Sequence, residues 1–143
     1  MLKNELNFRL SEIENRLPQI ESESGKVAEE YRVRLTKKIA EFLSKSDSQI
    51  ELDQGRLAQE VAYLADRSDI SEEIQRLKSH IEQFRQTMNE DKDVGKRLDF
   101  LTQELNREAN TIASKTNNFI VKENALACKS EIEKIREQVQ NVE

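Results

Sequence analysis

Three groups of side chains have the types and spacings that can do chemistry. The first is Asp69, Glu72, Glu73, Arg76 and His80. Steps of three and four separate Glu73, Arg76 and His80, so on a helix a carboxylate, a guanidinium and the chain's only imidazole share one side. In that row His80 can act as general acid or base, polarised by Glu73 and steered by Arg76. On composition alone the same row reads more readily as a surface salt-bridge stripe with an incidental histidine. The second group is Glu104, Glu108, Thr111 and Lys115, again along one side of a helix. Two carboxylates four residues apart can share a hard divalent cation, Mg²⁺ or Mn²⁺. Glu pairs at this spacing are common on solvated helices, but Glu108 interrupts a leucine stripe. A carboxylate there is partly desolvated and needs a metal, an Arg or hydrogen-bond donors to stay charged. A buried polar network that fixes register meets that need as well as a metal site does. The third group, Glu131 to Glu143, reads as a packing helix with a charged outer face.

The elements that must position these groups are helical. Leu6, Leu10, Ile13, Leu17 and Ile20 recur every three or four residues. Pro18 is expected to break or kink this helix near Leu17, with a join around Ser22 to Gly25. The stripe resumes as Val27, Tyr31, Leu35, Ile39 and Phe42, and Ser44 to Ser48 reads as a linker. A shorter helix follows Asp53, carrying Leu57, Val61 and Leu64, with Ala58, Ala62 and Ala65 leaving room for a close neighbour. Asp69, three residues before Glu72, marks the next start, and early acids suit the positive end of the helix dipole. Ile70, Ile74, Leu77, Ile81 and Phe84 follow it, then a polar acidic turn at Asn89 to Asp93. Leu98, Leu101, Leu105 and Ile112 keep a heptad in which position 108 is Glu. After Thr116 to Asn118, the run Val121, Ala125, Cys128, Ile132, Ile135, Val139 and Val142 alternates steps of four and three, a coiled-coil-like seam. The expected fold is all-α: one domain over 1–143, an elongated bundle of five or six helices with long antiparallel hairpins.

Composition excludes several classes. With three Gly and one Pro in 143 residues, many-stranded β folds have too few turns. Cys128 alone closes no internal disulfide and no cysteine zinc site; on the apolar seam it reads as a small buried hydrophobe. No apolar run can span a bilayer and no signal-peptide core follows Met1, so a cytoplasmic protein without membrane contact is expected. No Gly-rich phosphate loop or serine-triad motif occurs, so no nucleotide cofactor is expected. The net charge of −5 lies wholly in residues 48–94, with six basic and eleven acidic groups; residues 1–47 and 95–143 are each balanced. That argues against nucleic-acid binding by bulk charge, though not against a local basic lane.

The ordered blocks RLAQEVAYLADRSDISEEIQRLKSH from Arg56, GKRLDFLTQELNREANTIASK from Gly95 and EIEKIREQVQNVE from Glu131 resemble the bacterial YicC/YloC family. The likeness spans 49–143, with 1–47 a compatible helical lead-in. It covers the family's C-terminal domain only, so the chain reads as the C-terminal half of a longer protein, with Met1 added. The resemblance implies a cytoplasmic endoribonuclease that depends on a divalent metal and forms a ring-like homo-oligomer, a hexamer. Metal-assisted phosphodiester cleavage then gives each candidate a role. Glu104 and Glu108 would ligate the cation, with Asp69 or Glu73 approaching from the neighbouring helix. His80 would move a proton. Arg67, Arg76, Arg97, Arg107 and Lys115 would hold the RNA backbone. Few rings (Phe84, Phe100, Phe119) serve base stacking, so sequence preference should be slight. Two other classes stay open: a helical oligomerisation module without catalytic activity of its own, and an adaptor presenting RNA to another nuclease.

Overall fold

The computed structural model describes residues 2–45, 54–67, 69–90 and 94–141. They form five helices: α1 (Leu2–Lys45), α2 (Gln54–Arg67), α3 (Ser71–Met88), α4 (Val94–Lys115) and α5 (Phe119–Gln140). No strand occurs among the described residues. Consecutive helices α3, α4 and α5 pack in sequence, and α1 lies against α5, α3 and α2. The result is the expected all-α bundle. Among the described residues no helix is long and apolar enough to cross a membrane.

The apolar spacing explains the packing. Leu6, Leu10, Ile13, Leu17, Ile20 and Val27 of α1 are buried in one core with the stripes of α3, α4 and α5. Every described member of the α5 seam, from Val121 to Val139, lies in that core; Val142 falls outside the described residues. Beyond Val27 the α1 stripe thins: Tyr31, Leu35 and Ile39 are half-buried and Phe42 is 72% exposed. There α2 packs against α1, through the buried Val61 and Ala65, which stand apart from the main core, and the α4–α5 turn meets Glu30 through Asn118. Of the three alanines expected to admit a neighbour, Ala65 alone is buried; Ala58 and Ala62 face solvent.

Two expected boundaries are corrected. Pro18 neither ends nor divides the first helix, and Ser22 to Gly25 form no join: α1 is one helix of 44 residues, about 66 Å at 1.5 Å per residue. Pro18 is on the exposed side, so the carbonyl one turn earlier, which loses its N–H partner, can turn to water. At the start of α3, Ile70 rather than Asp69 occupies the capping position, and its side chain is fully buried. Asp69 sits one residue earlier, where its Oδ1 accepts the Ser71 N–H at 3.0 Å and the Ser71 hydroxyl at 2.7 Å. The α4–α5 turn is closed by side chains. Thr116 Oγ1 accepts the Asn118 N–H at 2.9 Å, and Asn118 Oδ1 accepts the Val121 N–H at 3.1 Å as the α5 cap. Of the expected linker Ser44 to Ser48, Ser44 and Lys45 instead form the last residues of α1, while 46–48, Asp53 and turn residues 91–93 lie outside the described residues.

Cys128 sits inside the core, and burial pushes its thiol up from 9.0 to about 12. It should resist a thiol reagent at pH 8 in the native protein and react at once in denaturant. The folded state holds that proton more tightly than the unfolded chain does, so stability must fall as pH rises between those two values. The slope is about 1.4 kcal/mol per pH unit. Cys128→Ala should lack this component when urea midpoints are compared from pH 8 to 11. Pro18→Ala restores a backbone donor at an exposed helical position and should raise stability by about 1–3 kcal/mol, read from thermal or urea unfolding.

Candidate functional site

The site is built across the α3–α4 hairpin. Because the two helices run antiparallel, residues ascending α3 meet residues descending α4: Arg76 stands level with Glu108, and His80 with Glu104. Glu73 and Glu108, one on each helix, point inward, and their side chains are 4% and 5% exposed. A carboxylate that far from water stays ionised only beside matching donors. Arg76 supplies them. Its Nε donates to Glu108 Oε1 at 3.0 Å, Nη2 to Glu73 Oε1 at 3.2 Å and Nη1 to Glu72 Oε2 at 3.4 Å. Lys115 Nζ, from the last turn of α4, donates to the same Glu73 Oε1 at 2.9 Å and to the Asp69 backbone carbonyl at 3.2 Å. The hydrogen bond to Glu108 is the main reason the Arg76 guanidinium is held above its ordinary pKa. Glu108 is therefore paired with an arginine, which is one of the partners its place in the leucine stripe demanded.

A second group lies one turn along. His80, Glu104 and Glu108 each offer one ligand atom, all within 4.8 Å of one another. His80 Nε2 is 3.9 Å from Glu104 Oε2, too far for a hydrogen bond. Both imidazole nitrogens are buried and have no hydrogen-bond partner, and Glu73 Oε2 is in the same state. Buried imidazole nitrogens without partners are rare in native structures and point to a missing one. The donor set, one imidazole and two carboxylates, fits a divalent cation. Ligands at about 2.1 Å from one ion stand roughly 3–4 Å apart, so small side-chain rotations close the group. An imidazole beside carboxylates suits a transition ion such as Mn²⁺ better than Mg²⁺.

The other sequence candidates fall elsewhere. The Asp69 carboxylate is exposed and bound to Ser71, so it does not join the cation group; only its carbonyl meets Lys115. The buried Glu73 pairs with Arg76 and Lys115. Arg107 is 74% exposed, with Nη1 4.0 Å from Glu104 Oε2. Arg97 pairs with Glu90 at the far end of the hairpin. Arg67 ends α2, and its side chain lies outside the described residues. The charged C-terminal helix keeps its packing role: Glu131 accepts from Arg9 at 3.1 Å across to α1, and the exposed Arg136 lowers the pKa of its neighbour Glu133 by hydrogen bonding. Sequence reasoning missed two things. One is His80 as a third donor beside Glu104 and Glu108, which needs the hairpin register. The other is the buried Asn124, held by Arg16 at 3.2 Å and by the Ile120 carbonyl at 2.8 Å.

Removing the guanidinium should leave two buried carboxylates short of donors. Arg76→Ala should cost about 1–3 kcal/mol in urea unfolding, below the full cost of a sealed pair because Arg76 is half-exposed and water can enter. Adding Glu108→Leu to Arg76→Ala should recover part of that loss.

Comparison with known proteins gives these residues a context. Residues 20–143 match the family described as "Endoribonuclease YicC-like, C-terminal". The chain is 45% identical, over 99% of its length, to a "Probable endoribonuclease YicC" of Clostridioides difficile (strain 630). It is 39% identical, over 92% of its length, to a protein of the same title from Haemophilus influenzae. These alignments cover 47% and 46% of the two relatives, so the chain spans about half the length of the curated proteins it matches. With the fold, the ordered blocks and this match in agreement, the chain belongs to the YicC-like endoribonuclease family, as its C-terminal domain.

Proposed function

We propose that this chain carries the cation-binding centre of a metal-dependent endoribonuclease, with His80, Glu104 and Glu108 as the ligands. The observation that carries this reading is the donor trio itself: three convergent ligand atoms on facing helices, two of them on carboxylates, beside an imidazole with no other partner. The likeness to proteins titled endoribonucleases supplies the reaction class.

The residues divide the work. Glu73 is a positioning residue: it fixes the Arg76 guanidinium and the Lys115 ammonium beside the cation ligands. Each of those two cations keeps solvent-facing surface, and Arg107 stands on the same helix with its charge in water. Together they receive the oxygens of an RNA phosphate, Arg through its planar fork and Lys as a point charge. A divalent cation, when bound, supplies a Lewis acid that activates the nucleophile and offsets charge developing on the phosphate. The local count supports this: four acids (Glu72, Glu73, Glu104, Glu108) face three bases (Arg76, Arg107, Lys115), an imbalance that a dication turns positive. Net acidity and RNA chemistry are then compatible. Assembly with further copies belongs to the same reading, and Phe119 and Leu126, seven residues apart on α5, offer exposed apolar surface for it.

One observation favours a second reading. Glu108 already has an arginine partner, so the polar cluster also works as a register-fixing network in a helical oligomerisation or RNA-adaptor module. Glu104→Gln and His80→Asn separate the two, since both side chains are partly exposed and make no hydrogen bond that holds the bundle together. Under the enzyme reading each lowers Mn²⁺-dependent cleavage of an RNA substrate by about 10–100-fold or more and weakens Mn²⁺ binding in calorimetry, with unfolding midpoints unchanged. Cleavage and Mn²⁺ affinity that stay at wild-type levels would leave the module.

A further inference from the structure

Toward the closed end of the α3–α4 hairpin, the surface that carries the cation group continues into an open groove of about 370 Å³. Its walls hold Gln83 and Gln86 from α3 and Lys96, Arg97 and Phe100 from α4, with Glu90 at the end. The register places it beside the centre. Phe100 stands one turn from Glu104, about 6 Å along the axis, and Gln83 follows His80 by about 4.5 Å. The groove is within the size range of small-ligand clefts.

Its chemistry is selective. Phe84, the other ring of this hairpin, is fully buried in the core, whereas Phe100 is 59% exposed. An aromatic face left in water beside a polar site is a platform for another flat ring. Gln83 spends one amide N–H on Ser79 Oγ at 3.2 Å and keeps its carbonyl oxygen, and the Gln86 amide has no partner among the described residues. Donors and acceptors of this kind read base edges. Lys96 has no ion-pair partner among the described residues, while Arg97 is shared with Glu90. A stacking face, two amides and a free ammonium match a nucleotide: base, edge and phosphate.

We propose that this groove holds the unpaired base of the nucleotide next to the scissile phosphate, stacked on Phe100, so that the substrate is single-stranded RNA at the cutting position. The proposal rests on the endoribonuclease reading and narrows its substrate class. In a duplex both faces of the base are covered by its neighbours, so Phe100 can be used only where the strand is open.

The test measures fluorescence anisotropy of a labelled ten-nucleotide RNA with Mn²⁺, using Glu104→Gln as the common background so that binding is read without turnover. Adding Phe100→Ala should weaken binding about five- to a hundredfold, the range for loss of one base–aromatic stack. Phe100→Trp should restore it. The difference should vanish on an oligonucleotide whose residues are abasic, and double-stranded RNA should be insensitive to Phe100. Equal affinity with Phe and Ala, an equal loss on abasic RNA, or no RNA binding by the parent chain would each overturn the groove. If Phe100 matters for binding while Glu104→Gln still cuts at the wild-type rate, the groove stands and the hydrolytic centre fails. If Glu104→Gln abolishes cutting while Phe100→Ala binds normally, the centre stands and the groove fails.

Discussion

Two carboxylates almost withdrawn from water, one on α3 and one on α4, constrain everything around them. Glu73 and Glu108 find donors inside the hairpin because Arg76 lies between them and Lys115 reaches from α4 across to Glu73. The desolvation of each acid is large, so the donors must stand within hydrogen-bond distance, and that fixes how far one helix can slide past the other. A shift of one turn would strand both charges. The apolar stripes alone tolerate such a slip better, since one leucine or isoleucine can replace another at similar depth. The polar pair therefore supplies the register that hydrophobic packing leaves loose.

From that register the rest of the site follows. Once Arg76 is level with Glu108, His80 is carried to Glu104, and the imidazole nitrogens are enclosed among carboxylates without a hydrogen bond of their own. The same alignment continues to the hairpin end, where Phe100 and the two glutamines flank one groove. One geometric choice therefore places the His80, Glu104 and Glu108 donors, the Arg76 and Lys115 charges and the exposed Phe100 ring along one hairpin. The excess acid of residues 48–94 also finds its explanation here. Part of it is countered across the hairpin by bases of α4, so the charge imbalance is regional in the sequence and local in space.

The outer parts of the molecule are held by weaker means. α1 is the spine: its first half closes the main core, and its second half meets α2 and the α4–α5 turn through narrower contacts. Pro18 survives in it because a long helix anchored by four buried residues before the ring and two after it keeps its course when one exposed hydrogen bond is lost. Local breaking signals yield where the apolar face on both sides is already committed.

The apolar spacings declared a bundle of five or six helices, the stripes of α3, α4 and α5, and the burial of Cys128, because a period of three and four residues is a property of the chain before it packs. Row membership was legible too: Glu73, Arg76 and His80 on one helix, Glu104, Glu108 and Lys115 on another, with an unusual acid at position 108. Pairing between rows was not. Whether Asp69, Glu73 or His80 would stand beside Glu104 and Glu108 depends on where α3 lies against α4, and Asp69, just before α3, holds Ser71 instead. Periodicity names the side of a helix on which a residue lies, whereas the neighbour it meets is decided by the relative height of two helices. Only packing sets that height, through the buried ion pairs that no single helix contains.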